Sequence, residues 1–278
     1  MDTLNCRSVL VTIVDSTLLH FYGRYTVHGG YMRKVVNIAG INIDDITMEQ
    51  AVERVYEFID SNENHSIYTP NAEIMMEGIT NKNINRVLNT ADMLVADGAG
   101  VVLASKILGR TVAQKVSGVD LAKKLLSSTS KRPIKFFLFG GSPGIAEKAH
   151  ANIICDYPAA QVVGTRNGFF TADDEEEIID QINKSGAEVL FVCLGAPKQE
   201  LWIDTNKNKL QVKACLGLGG TINILSGTVN PSPDFFRNNG LEWLHRLYKE
   251  PRRFKRMLRL PKFILHVLAI RIGLIKQH

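Results

Sequence analysis

Three observations predict an α/β protein: a Rossmann-like parallel sheet with helices on both faces, plus a basic C-terminal helical appendage. Short apolar runs rich in β-branched and aromatic residues, such as Lys135-Phe136-Phe137-Leu138-Phe139, alternate with amphipathic stretches. Most of these runs stop at Gly, Pro or Asp-Gly and pass directly into a helical pattern, as βαβ units do. Charge is also segregated: of 33 Lys and Arg, ten lie in 243–278 beside one acid, leaving 23 basic against 27 acidic residues in 1–242. Such a tail points to an anionic partner, whether lipid headgroup, diphosphate or nucleic acid.

The remaining composition is that of a soluble globular protein. A chain of 278 residues, 45% apolar and 22% charged, can bury a sizeable core and carry an accessory piece. Cys6, Cys155, Cys193 and Cys215 show no paired spacing, so neither a disulfide framework nor a zinc site is predicted. Cys193 and Cys215 fall in apolar runs and read as buried, inert thiols. Phe263 to Ile275 is too short to span a bilayer and contains His266 and Arg271. Val9 to Tyr22 is interrupted by Asp15 and lacks the marks of a signal peptide.

Residues 1–31 have no sustained apolar period. We expect a poorly ordered upstream extension there, with Met32 as the natural start, an α/β domain over 32–242 and the appendage over 243–278. Val35 to Ile43 reads as a strand or hairpin turning at Gly40. Thr47-Met48-Glu49-Gln50 is a capping box, opening a helix with Ala51, Val52, Val55, Phe58 and Ile59 on its apolar face.

His65 to Thr69 is a strand stopped by Pro70, followed by helices around Ala72–Gly78 and Asn81–Asn89. Met93 to Ala96 is a buried strand ending at Asp97-Gly98; the helix after it, Val101 to Leu108, should end in a left-handed cap at Gly109. Lys115-Val116-Ser117-Gly118-Val119-Asp120 leads into a helix over Leu121–Leu126. Lys135 to Phe139, the clearest central strand, runs into Gly140-Gly141-Ser142-Pro143-Gly144 and a helix. Strands at Gln161–Gly164, Val189–Leu194 and Ala214–Leu218 follow, each leading into a helix or a glycine pair.

In the appendage, Leu241 to Glu250 is a helix broken at Pro251. Arg246, Lys249, Arg253 and Arg256 share a face if the helical path is kept. Phe254, Met257, Leu258, Phe263, Ile264, Val267 and Leu268 form the apolar complement of a membrane-surface element.

Taken singly, the polar corners have two readings. Asp97 ends an apolar strand, where burial can turn a carboxylate into a usable base, yet Asp-Gly is a common turn. Thr69 and Asn71 fit a pocket or a helix cap. Gln199, after Pro197, suits a sugar hydroxyl or an exposed helix start. The Gly140-Gly141 corner fits a phosphate approaching a helix N-terminus, or a tight turn. It lacks the G-x-G-x-x-G spacing, and Thr165-Arg166-Asn167 stands where a ribose-binding acid belongs, which disfavours a nicotinamide-dependent oxidoreductase. Acids from Asp173 to Glu177 match a helix dipole better than a metal.

Together, Thr69-Pro70-Asn71-Ala72-Glu73, Ala96-Asp97-Gly98, Ser117-Gly118-Val119-Asp120-Leu121, Phe139-Gly140-Gly141, Gly195-Ala196-Pro197-Lys198-Gln199-Glu200 and Gly219-Gly220 resemble the WecG/TagA/CpsF family of bacterial glycosyltransferases. The resemblance implies an inverting, metal-independent transferase that needs no cofactor. It would move N-acetylmannosamine or a related sugar from a UDP donor to undecaprenyl-diphosphate-linked N-acetylglucosamine, in teichoic acid linkage-unit or similar synthesis. Asp97 matches the catalytic carboxylate, and Thr69, Asn71 and Gln199 match pocket residues. Arg246, Arg253 and Arg256 match positions that close over the diphosphates.

Two positions depart from that pattern. Lys115-Val116 replaces the usual arginine, exchanging a bidentate phosphate contact for a point charge. Asn223 replaces an aspartate after Gly219-Gly220, where uridine or ribose would be read. The absence of a D-x-D motif after a strand agrees with metal independence. The implied location is the inner face of the bacterial cell membrane, cytoplasmic and peripheral, with an anionic membrane surface as partner. Nucleic acid is not expected, and a homo-oligomer stays open. The alternatives are the oxidoreductase or a non-catalytic module binding anionic lipid or nucleic acid.

Overall fold

The computed structural model describes residues 24–28, 31–233, 235–236, 240–249, 251 and 254–276, with backbone alone at 24–28, 31–32, 246 and 255. Arg24–His28 (β1), Tyr31–Ile38 (β2) and Ile41–Asp44 (β3) form an antiparallel sheet in the order β1-β2-β3. Ala39 and Gly40 turn the second hairpin with φ of 53° and 86°, the left-handed pair a two-residue hairpin needs. An ordered strand thus lies inside the segment expected to be an extension; residues 1–23 fall outside the described ones.

The main sheet has six strands in the order β5-β4-β9-β8-β6-β7, every pairing parallel. They are His65–Tyr68 (β4), Met93–Leu94 (β5), Lys135–Gly140 (β6), Gln161–Arg166 (β7), Val189–Cys193 (β8) and Ala214–Gly217 (β9). The helices between them are Met48–Asp60 (α1), Ala72–Thr80 (α2), Lys82–Asn89 (α3), Ala99–Ile107 (α4), Gly118–Ser128 (α5), Ile145–Asp156 (α6), Glu175–Lys184 (α7), Lys198–Asn206 (α8) and Thr221–Leu225 (α9). This is the expected Rossmann-like α/β architecture. Thr47 caps α1 with its capping box, and Gly109 follows α4 at φ 70°.

Alternation along the strands builds two cores, one on each face. Phe136 and Leu138 of β6 join Ile67, Val189 and Leu216 under α1, α5 and α6. Phe137 and Phe139 point the other way, to Tyr68, Leu190 and Val192 under α2, α3, α7 and α8. Burial on both faces explains why the strands read as continuous apolar runs. Cys193 and Cys215 are wholly buried, and desolvation pushes both thiols up to about 12.

Strand β5, at the sheet edge, is shorter than its apolar run. The hairpin supports it: buried Arg33 and Asp44 are joined by two hydrogen bonds, of 2.8 and 2.6 Å, and Asp44 Oδ2 also accepts the Leu94 amide at 2.6 Å. That carboxylate satisfies an edge N–H three residues before Asp97.

The appendage consists of Glu242–Lys249 (α10), Phe254–Met257 (α11) and Arg259–Arg271 (α12). Pro261 sits in the first turn of α12, where an N–H has no intrahelical partner. Phe263 and Val267 were expected on a membrane-facing side; they are instead fully buried in the core, with α12 packed on α2 and α4. Spaced four apart, they form the inner stripe of α12, while Leu265 and Leu268 stay exposed. Of the expected arginine face, Arg253 and the Arg246 side chain lie outside the described residues.

Candidate active site

Because the sheet is parallel, the C-terminal ends of all six strands meet one edge, where open α/β sheets place their ligands. Asp97 follows β5, with its amide donating to Pro70 O at 3.1 Å. Pairing of Val116 N with Ala96 O carries Lys115 to Gly118 alongside it, and the Gly118 amide, in the first turn of α5, approaches Asp97 Oδ2 at 3.4 Å. A half-buried carboxylate thus faces the N-terminus of α5.

Thr69 ends β4 beside it. Its hydroxyl donates to Gly217 O at 3.2 Å, and a Cβ at Gly118 would come within 2.9 Å of Thr69 Oγ1, so only glycine lets these two corners approach so closely. Asn71 is exposed and caps α2, with Oδ1 accepting from the Glu73 and Ile74 amides. Its oxygen is committed to the helix, so Nδ2 is the group it can offer to a sugar.

Gln199 stands in the first turn of α8 and is only 4% exposed. Its Oε1 accepts the Gly219 amide at 2.8 Å, and its Nε2 donates to Glu200 Oε1 at 2.9 Å. Glu200, 2% exposed, was not singled out in the sequence. Burial pushes its carboxyl above the usual range, only partly opposed by the Gln199 hydrogen bond, and its Oε2 has no hydrogen-bond partner among the described residues. Both properties favour a neutral acid. The available signal was a glutamate beside the apolar run Leu201-Trp202-Ile203, but an acid in a first turn reads first as a dipole partner.

The Gly140-Gly141 corner lies four strands from β5, roughly 19 Å along the edge. A Cβ on Gly140, at φ 139°, would run into the Cys193 carbonyl. The Gly141 amide donates to Cys193 O at 3.3 Å, and Gly141 O accepts from Gly168 N at 2.8 Å. Close approach of the Cys193 carbonyl accounts for Gly140, and the left-handed φ of 73° with Ile145 packed alongside accounts for Gly141. Asn223, in α9 after β9, is half-buried between the two corners, and its neighbour Ile222 packs at Gly141.

The appendage meets the first corner through charge. Lys115 Nζ is 2.8 Å from Glu242 Oε1 of α10. Arg256 pairs with Glu73 at 3.0 Å and Arg259 with Glu77 at 2.7 Å, both acids on α2. Leu260 abuts Gly100 and Arg256 holds Glu73, so the appendage touches the opening turns of both α4 and α2. No group of three or more metal-ligating side chains occurs among the described residues.

Known proteins match this chain along most of its length. The model of the glycosyl transferase WecG/TagA/CpsF family matches residues 36–277. An N-acetylglucosaminyldiphosphoundecaprenol N-acetyl-beta-D-mannosaminyltransferase of Bacillus spizizenii is 32% identical, over 80% of this chain and 85% of its own. Proteins of the same name from Bacillus subtilis and Staphylococcus aureus are 30% and 31% identical, over 84% and 82% of this chain and 89% and 90% of theirs. With the strand-end corners of the sequence motifs gathered on one sheet edge, the chain belongs to the WecG/TagA/CpsF family of glycosyl transferases.

Proposed function

We propose that this enzyme transfers N-acetylmannosamine, or a closely related sugar, from a UDP donor to N-acetylglucosamine on undecaprenyl diphosphate, in teichoic acid linkage-unit or similar polymer synthesis. The supporting observation is the approach of Asp97, Thr69 and the Gln199–Gly219 pair across adjacent strand ends, in a chain similar to three transferases of that name.

In this reading Asp97 takes the proton of the acceptor 4-hydroxyl. The freed oxygen attacks the anomeric carbon opposite the UDP, the bond to the UDP oxygen breaks, and the configuration inverts. Thr69 Oγ1, Asn71 Nδ2 and Gln199 orient the sugars. UDP departs with added negative charge, which Lys115, Arg256 and helix N–H groups stabilise in place of a metal, with Arg246 and Arg253 assigned the same role. Asn223 and the Gly140-Gly141 edge receive the nucleotide. No described helix is long and apolar enough to cross a membrane, which fits peripheral attachment at the inner face through the basic tail.

A panel of UDP-sugars with a diphospholipid-linked N-acetylglucosamine acceptor, scored for UDP release, tests the reaction. Asp97→Ala should lose transfer by about 100-fold or more while still binding UDP-sugar. Undiminished turnover would remove Asp97 as the base, and a tight NAD(P)H complex without UDP-sugar turnover would favour the oxidoreductase.

A further inference from the structure

A groove of about 460 Å³ runs between α10, α11 and α12, and all nine of its lining residues are apolar. Trp243, Phe254, Leu258 and Leu265 line it, yet each remains 38 to 65% exposed. Leaving so much clustered apolar surface in water is unfavourable, and such a patch marks a binding site.

Its position identifies the occupant. Leu260, one wall of the groove, rests against Gly100, just past the Asp97-Gly98 turn. Trp243, another wall, adjoins Glu242, which holds Lys115. These two walls place the groove beside the Asp97–Lys115 corner, and Arg256 and Arg259 stand on α11 and α12, two of the helices that form its sides. Cations on the groove-forming helices, balanced by Glu73 and Glu77 until a stronger anion displaces them, beside an apolar trough suit a ligand with a diphosphate head and a hydrocarbon tail. A flat bilayer would call for a convex apolar face instead.

We propose that this groove holds the first isoprene units of a polyprenyl-diphosphate acceptor, so that the protein grips the lipid chain itself and sets the acceptor sugar at Asp97. This rests on the acceptor class proposed above. It predicts that affinity rises with prenyl length even without a membrane.

The test follows Trp243 fluorescence during titration of the full chain with farnesyl diphosphate or inorganic diphosphate. Farnesyl diphosphate should shift the emission to the blue and bind at least tenfold more tightly. Phe254→Ser combined with Leu265→Ser, both at exposed positions, should cut that advantage below about threefold, leaving inorganic diphosphate binding and thermal stability unchanged. Equal binding of the two ligands, or a full advantage kept by the double variant, overturns the proposal. So does an equal loss of binding to acceptor-free phosphatidylglycerol vesicles in that variant, because the bilayer would then be the occupant. Failure of every UDP-sugar to react would sink the transfer reaction while leaving this binding result to stand or fall alone.

Discussion

Lys115 and Glu242, 127 residues apart, meet at 2.8 Å and join the Asp97 corner to the appendage. The Lys115 cation is thus already neutralised by a carboxylate, each side chain being a little over a quarter exposed. A diphosphate reaching Lys115 must compete with Glu242. Glu242→Gln should therefore tighten UDP binding about two- to fivefold, the scale of a partly exposed ion pair, and Lys115→Gln should weaken it. Isothermal titration of both variants checks the direction; equal affinities would place Lys115 away from the diphosphate.

Glu200 is expected to hold the Gln199 amide in one orientation. Glu200→Gln keeps an oxygen that can accept from Gln199 Nε2 and should retain most of kcat. Glu200→Leu frees the amide and should lower kcat by about tenfold or more, with a smaller change in donor KM. Its melting temperature should hold or rise, since a buried acid with an unpaired oxygen gives way to an apolar side chain. A parallel loss of kcat and stability in both variants would show a purely structural role.

Gly140→Ala should lower stability by about 2 to 4 kcal/mol, because φ 139° and the Cys193 carbonyl both oppose a side chain. Denaturant unfolding measures it. Normal stability in that variant would refute the packing account of Gly140, and weakened UDP binding would support the nucleotide role proposed for this edge.

At the opposite edge of the sheet, Asp92 accepts from Ser66 N at 2.8 Å and from Lys207 Nζ at 2.6 Å, with His65 alongside. Burial pushes its carboxyl up, but hydrogen bonds from His65, Lys207 and Ser66 outweigh it and hold the group well below the usual carboxylate range. A lowered folded-state value gives stability that is complete above the unfolded value, about 3.9, and is lost as pH falls below it. Asp92→Asn should cost about 2 to 4 kcal/mol at pH 7 and flatten the decline in stability below pH 4. An unchanged acid limb in that variant would refute the linkage.

The sheet was legible because strands buried on both faces leave uninterrupted apolar runs, and because Thr47, Gly40 and Gly109 announce caps and turns locally. The Asp97 corner was legible for the same reason: a strand end and a helix start fix its place. Other features depend on contacts between distant residues. Nothing near Lys115 announces Glu242, and nothing near Phe263 shows that α2 will cover it. Glycine pairs at a strand end serve a phosphate or a neighbouring backbone equally well in sequence; the Cys193 carbonyl is what accounts for Gly140.

Burial of Phe263 and Val267 divides the appendage into a root and a tip. The root, α12, shares the core and can detach only at the cost of cooperative unfolding. The tip, 242–257, has no fully buried side chain among its described residues and is tied to the body by ion pairs at Glu242 and Arg256. Local opening costs least where buried contacts are fewest. Loss of those ion pairs therefore frees the tip at far less cost than releasing the root, so the two halves of the appendage differ in stability although they adjoin in sequence.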